Sequence, residues 1–181
     1  MTAILVRPAT DADAPALAEL LNAIIARGGT TALEQSFTPD RLARKYLTGP
    51  NVISCFVAYD AETGEALGFQ TLTREAYVPD NWGDIGTFAR VGGTQRGVGS
   101  ALFAATRERA LELGLAGLNA QIRADNHGGL AFYARMGFQD HHVDAAVPLT
   151  DGTPVDRITK RYPLRAEVPA GPCDRISIST P

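Results

Sequence analysis

The stretch Thr94-Gln95-Arg96-Gly97-Val98-Gly99-Ser100 decides how this chain folds. It sits where the residue period changes. Upstream, Ile85 to Val91 is β-prone. Downstream, Val98, Leu102, Phe103 and Leu111 share one face of a helix that runs to Gly114. A strand therefore enters a glycine turn and a helix leaves it. Gly97 and Gly99 carry no side chain, so a ligand can come close to the backbone. The first N–H groups of the helix are free, and with the helix dipole they form an anion site. Arg96 adds a planar guanidinium suited to phosphate. Phosphate binding is expected here, although two glycines before a helix also occur as a plain tight turn. A P-loop is excluded, because no Gly-Lys is followed by Ser or Thr. A dinucleotide fingerprint fails as well, because Leu102 stands where a third Gly or Ala is required.

Reading outward gives the rest of the order. Ala3 to Arg7 is a strand ended by Pro8. Thr10 and Asp13 form a capping-box pair before a helix whose apolar face is Leu17, Leu20, Leu21, Ile24 and Ile25. Gly28-Gly29 stops it, and a polar, flexible loop follows. Thr38-Pro39 opens a second helix, closed by Gly49-Pro50. Val52 to Tyr59 and Ala66 to Thr73 read as an antiparallel hairpin. A loop over Arg74 to Gly83 leads to the strand before the glycine turn. After the long helix, Gly117 to Arg123 is a strand, and Asp125 or Asn126 caps a helix ending at Met136-Gly137. Phe138 to Ala145 and Val155 to Tyr162 make a last strand pair. The order β-α-α-β-β-β-α-β-α-β-β predicts an α/β (α+β) domain. Its mixed central sheet has about seven strands, with helices on both faces. Residues 1–164 form that domain, and the Pro-containing residues 165–181 read as a C-terminal tail.

The 181 residues suit one domain with a core of its own. A formal net charge of −3 argues against a nucleic-acid partner. No apolar run is long enough for a membrane span, and no secretion signal opens the chain. Cys55 and Cys173 lack Cys-x-x-Cys spacing, so they read as free thiols in the cytoplasm, with no metal expected. His127, His141 and His142 read as surface residues, the adjacent pair pointing to opposite strand faces.

About thirty residues after the glycine turn comes Asn126-His-Gly-Gly-Leu130-Ala-Phe132-Tyr133-Ala-Arg-Met136-Gly137-Phe138. Taken with that turn, it makes the chain resemble the GNAT superfamily of acyl-CoA-dependent N-acetyltransferases. The resemblance is nearest to the phosphinothricin and amino-acid acetyltransferase type. Gly97 and Gly99 fill the family's glycine positions, while Thr94 departs from its usual Gln or Arg. Asn126, Phe132, Tyr133, Gly137 and Phe138 match the second motif. The likeness covers roughly residues 3–164.

The resemblance implies acetyl transfer from acetyl-CoA to the primary amine of a small molecule or amino acid. It implies that the strand before the glycine turn splays from its parallel neighbour. The pantetheine arm would then lie along backbone near Ala89 and Val91, and the pyrophosphate on the amides of Gln95, Arg96, Gly97, Val98, Gly99 and Ser100. Asn126 and Phe132 would line the thioester side. Tyr133 is the candidate general acid, because a phenol of pKa about 10 stays protonated beside a thiolate of about 8.5. Backbone N–H groups of the splayed strand can stabilise an oxyanion. Asp84 is a candidate base, with Glu34 and Glu75 as comparable carboxylates and bulk solvent through a water chain as the other route. Thr30 and Thr31 are candidate acceptor contacts. Family members are often dimers, and a homodimer is one expected assembly. Two other functions fit the same residues: a non-catalytic acyl-CoA sensor or partner module, and a nucleotide-binding protein using the glycine turn for another phosphate.

Overall fold

The computed structural model describes residues 3–93 and 96–164. Thr94, Gln95, the 165–181 tail and Cys173 therefore lie outside the described residues. Seven strands form one mixed sheet: β1 (Ile4–Pro8), β2 (Val52–Asp60), β3 (Ala66–Thr73), β4 (Trp82–Ala89), β5 (Gly117–Arg123), β6 (Gln139–Pro148) and β7 (Pro154–Pro163). Their spatial order is β1-β2-β3-β4-β5-β7-β6. β4 and β5 pair in parallel, and the other neighbours are antiparallel.

Helices α1 (Ala14–Arg27) and α2 (Pro39–Leu42) cover one face. Leu17, Leu21, Ile24, Leu42 and Tyr46 pack there with Val57 and Phe69. Val57's neighbour Ala58 points to the other face, where it meets Leu102 of α3 (Val98–Glu112). Further along that face, Phe103 and Tyr133 pack with Leu72, Leu118 and Phe138. Tyr133 belongs to α4 (His127–Arg135).

The capping pair does more than start a helix. Asp13 Oδ2 accepts from the Thr10 N–H at 2.8 Å. The same carboxylate takes two bonds from Arg7 on β1 and one from Tyr59 Oη on β2. It thereby ties α1 to the edge of the sheet. These donors hold the Asp13 carboxyl well below the usual carboxylate range, Arg7 contributing most.

Three local departures from the sequence reading have physical causes. The second helix is not one regular helix: α2 passes straight into a wider π-turn, Ala43–Leu47. The chain folds back over the Arg44 carbonyl, and a Cβ on Gly49 would lie 1.9 Å from that oxygen. β4 begins at Trp82, three residues before Ile85, because Trp82 pairs with Gly117 and its ring fills the space a side chain would need there. β6 is bulged between Asp140 and His142, so His141 and His142 do not follow strict strand alternation. A second irregularity, between Asp144 and Val147, holds Ala146 at φ 54°. That left-handed conformation costs a residue with a Cβ roughly 1–2 kcal/mol. Ala146→Gly should therefore stabilise the fold by about 1 kcal/mol in denaturant titration. A destabilised variant would contradict this reading of the bulge.

Candidate active site

The sheet opens where β4 and β5 part. They pair at Trp82–Gly117, Gly83–Leu118 and Asp84–Asn119, and no further. Beyond Asp84, β4 stays on β3 as far as Ala89, while β5 stays on β7 as far as Arg123. The Arg90 N–H bonds Leu67 O at 2.9 Å on the β3 side. Antiparallel alternation then turns the backbone groups of Ile85, Thr87 and Ala89 toward the gap. The splay expected before the glycine turn is present. It forms part of a cleft of about 680 Å³, lined on this side by Ile85 to Val91, Gly99, Phe132 and Tyr133. Ligand sites typically span roughly 300–1,000 Å³.

At one end stands the glycine turn. Gly97 has φ 92°, which a residue with a Cβ rarely adopts, and α3 starts at the next residue. Ala101 N–H makes an early helical bond, to Gly97 O at 2.9 Å. The preceding amides of Val98, Gly99 and Ser100 have no partner within the helix. Gly99 has a packing reason as well: its Cβ would lie 2.7 Å from the Phe132 ring. Val98 is buried against Ala58, Leu67 and Leu102, so its backbone alone is on offer. Arg96 and Ser100 are exposed. Ala89 and Val91 line the cleft. Gln95, the remaining turn residue assigned to pyrophosphate, lies outside the described residues.

Tyr133 lies at the floor of the gap. Its Oη is 2.9 Å from Thr87 Oγ1 and donates to Ile85 O at 3.3 Å. Burial pushes the phenol's pKa up, and bonding to Thr87 opposes that push. Asp84 stands where the strands part. Its Oδ1 accepts from Asn119 at 2.7 Å and its Oδ2 from Tyr77 Oη at 3.0 Å. Burial lifts its pKa to about 6, against the pull of those two bonds. Glu75, also on the cleft wall, accepts from Thr73 and adds to the upward push on Asp84. Tyr46 and Tyr77 complete this side: the buried Tyr46 phenol is pushed up by burial first and then by Glu75 and Asp84, while the more exposed Tyr77 carries the bond to Asp84.

The other wall is the loop between α1 and α2. Thr30 and Thr31 line the cleft. The loop is braced from several sides by hydrogen bonds that its composition does not announce. Asn22 clamps both backbone groups of Phe37. Asn126 Nδ2 donates to Thr30 O at 2.8 Å, and Arg123 donates to Thr31 O at 3.3 Å. Asn126 Oδ1 also accepts from the Gly129 N–H, capping α4. Asn126 thus lines the cleft while locking loop to helix. Glu34 is not among the lining residues: its carboxylate holds the backbone and hydroxyl of Thr150 in the β6–β7 turn. It does not stand as a base. His127 is exposed, and His142 pairs with Asp144 at the surface. Among the described residues no group of three or more His, Cys, Asp or Glu could hold a metal, and no helix is long and apolar enough to cross a membrane.

The family model of the acetyltransferase (GNAT) domain matches residues 3–139. The chain belongs to the GNAT acetyltransferases, enzymes that use acetyl-CoA. No curated protein sequence matches it. An N-acetyltransferase from Staphylococcus aureus Mu50 is 19% identical at a TM-score of 0.77, over 91% of this chain and 100% of that one. A protein assigned as a phosphinothricin N-acetyltransferase is 22% identical at a TM-score of 0.78, over the same shares. A third structure, from Salmonella typhimurium, is assigned as an acetyltransferase and was solved with its cofactor acetyl-CoA. It is 17% identical at a TM-score of 0.77, over 94% of this chain and 99% of that one. At these identities the structures show a shared fold.

Proposed function

We propose that this protein transfers the acetyl group of acetyl-CoA to the primary amine of a small molecule or amino acid, with Tyr133 as general acid and Asp84 as general base. One observation carries the reading. Where β4 leaves β5, the Tyr133 phenol and the Asp84 carboxylate line the same cleft.

The residues present fit acetyl-CoA. The amides of Val98, Gly99 and Ser100, with Arg96 beside them, would hold its pyrophosphate. Backbone groups at Ala89 and Val91 would hold the pantetheine arm in the gap, with Phe132 and Asn126 on the thioester side. When bound, the cosubstrate supplies an acyl carbon open to attack by an amine. Tyr133 holds a proton beside the gap for the departing sulfur. Asp84, ionised above about pH 6, takes the proton the amine must lose. Thr30 and Thr31, which line the cleft from the α1–α2 loop, would contact the acceptor. The cysteine pattern supports a cytoplasmic setting.

Thermal stability with ligands tests the cradle. CoA or acetyl-CoA at about 100 times its Kd should stabilise the protein by roughly 2.7 kcal/mol, and ATP should not. Stabilisation by ATP alone would favour a nucleotide site instead. No shift with any of the three would remove the acyl-CoA reading.

A further inference from the structure

Behind Tyr133 lies a chain of polar side chains that the proposed chemistry does not yet use. Gln70, in the middle of β3, is fully buried, because helices cover both faces of the sheet there. Its Nε2 donates to Thr87 Oγ1 at 2.8 Å. Thr87 Oγ1 is in turn 2.9 Å from Tyr133 Oη. The direction of the chain is set at its far end. The Ile85 carbonyl can only accept, so the Tyr133 proton points there. With the Tyr133 proton there, Tyr133 Oη accepts from Thr87 and Thr87 Oγ1 accepts from Gln70. The row then runs from Gln70 through Thr87 toward the Tyr133 oxygen.

The remaining atom of Gln70 makes the arrangement more telling. Its Oε1 is buried with no hydrogen-bond partner among the described residues. An unpaired buried acceptor is a cost that leucine would avoid. What glutamine supplies at this position is an N–H on Thr87 Oγ1 that fixes the rotation of the Thr87 hydroxyl.

We propose that Gln70 and Thr87 are positioning residues for Tyr133, holding a hydroxyl donor on its oxygen to carry the phenolate left when its proton goes to sulfur. This rests on Tyr133 acting as the acid. In the step, the amine nitrogen bonds to the acetyl carbon as the carbon–sulfur bond gives its electron pair to sulfur. Tyr133 passes its proton to that sulfur, leaving a thiol and a phenolate. The proton lost by the amine goes through Asp84 to water, and water returns one to Tyr133. A hydroxyl already aimed at the oxygen stabilises the new charge without reorganisation. Asp84 is the charged group acting on Tyr133, and it opposes that charge, which makes the Thr87 donor the more necessary.

The test is the titration of residue 133 itself. A fluorinated tyrosine of lower phenol pKa, placed at position 133 alone, is followed by fluorine NMR in the full chain. Thr87→Val should raise its midpoint by about one unit or more, since hydrogen bonds to charged oxygens are strong. Thr87→Ser should leave it near the parent value. Gln70→Leu should raise it by less, with stability unchanged or increased. A midpoint that falls or stays in Thr87→Val overturns the proposal, because Tyr133 would then not accept from Thr87. In acetyl transfer, Thr87→Val should lower kcat about tenfold, leave the KM for acetyl-CoA unchanged, and have no further effect in Tyr133→Phe. An equal drop in both backgrounds also overturns it. A slow Tyr133→Phe with an unmoved midpoint removes this proposal alone. A wild-type rate in Tyr133→Phe removes the acid and the proposal with it.

Discussion

Tyr133→Phe should lower kcat by about a hundredfold or more, within the roughly 10²–10⁴-fold range of general acid–base catalysis. The KM for acetyl-CoA should hardly change, because the backbone cradle at Ala89 and at Val98 to Ser100 does not involve the phenol. Stability is the control. The lost hydroxyl meets Thr87 and Ile85, and removing it should cost about 1 kcal/mol, too little to unfold the chain. A slow variant that binds CoA normally would place the defect in proton delivery. A variant with the wild-type rate would show that the departing sulfur leaves without help from Tyr133.

Asp84→Asn should cost a comparable factor in kcat/KM and change the pH profile. The wild-type rate should fall as pH drops through about 6, where the carboxylate takes up its proton. The Asp84→Asn variant should lose that limb. Its stability should move the other way. The folded pKa of Asp84 lies above its unfolded value of about 3.9, so the folded state prefers the protonated form. The stability contribution of this group is full below that unfolded value and is lost as pH rises through about 6. At pH 7 the ionised carboxylate is therefore a burden on the fold. A neutral amide of the same shape, still meeting Asn119 and Tyr77, should leave the thermal midpoint equal or higher. Lost activity with equal or greater stability would mark Asp84 as catalytic. Lost stability would make it a structural residue.

The glycine turn and the Asn126 to Phe138 segment exposed the fold to sequence reading because their signals are local. Two glycines before a helical period, and a capped helix closed by Gly137, need no distant partner to be read. The position of Tyr133 on that helix is legible for the same reason. The surroundings of these residues were not. Gln70 reads as an ordinary polar strand residue until helices are known to cover both faces of β3. Asp84 stands out only once Asn119 and Tyr77 are seen to bond it, thirty-five and seven residues away. The braces on the α1–α2 loop join Thr30 to Asn126 and Glu34 to Thr150, across 96 and 116 residues. No short window holds both partners, so neither the Glu34–Thr150 contact nor the loop's braces can be read from the sequence. Trp82 was missed at the head of β4 because its strand pairing depends on the space left by Gly117.

The central claim is that an amine attacks an acetyl group held in the β4–β5 gap. The most direct test incubates the purified protein with acetyl-CoA and a panel of amino acids and primary amines. Free thiol is followed over time and products by mass. The account requires thiol release that depends on one or more amines, with that amine gaining a single acetyl group, and requires both signals to collapse in Tyr133→Phe. Binding of acetyl-CoA with no amine-dependent thiol release across the panel would contradict it and leave a protein of this fold that holds the thioester without turning it over.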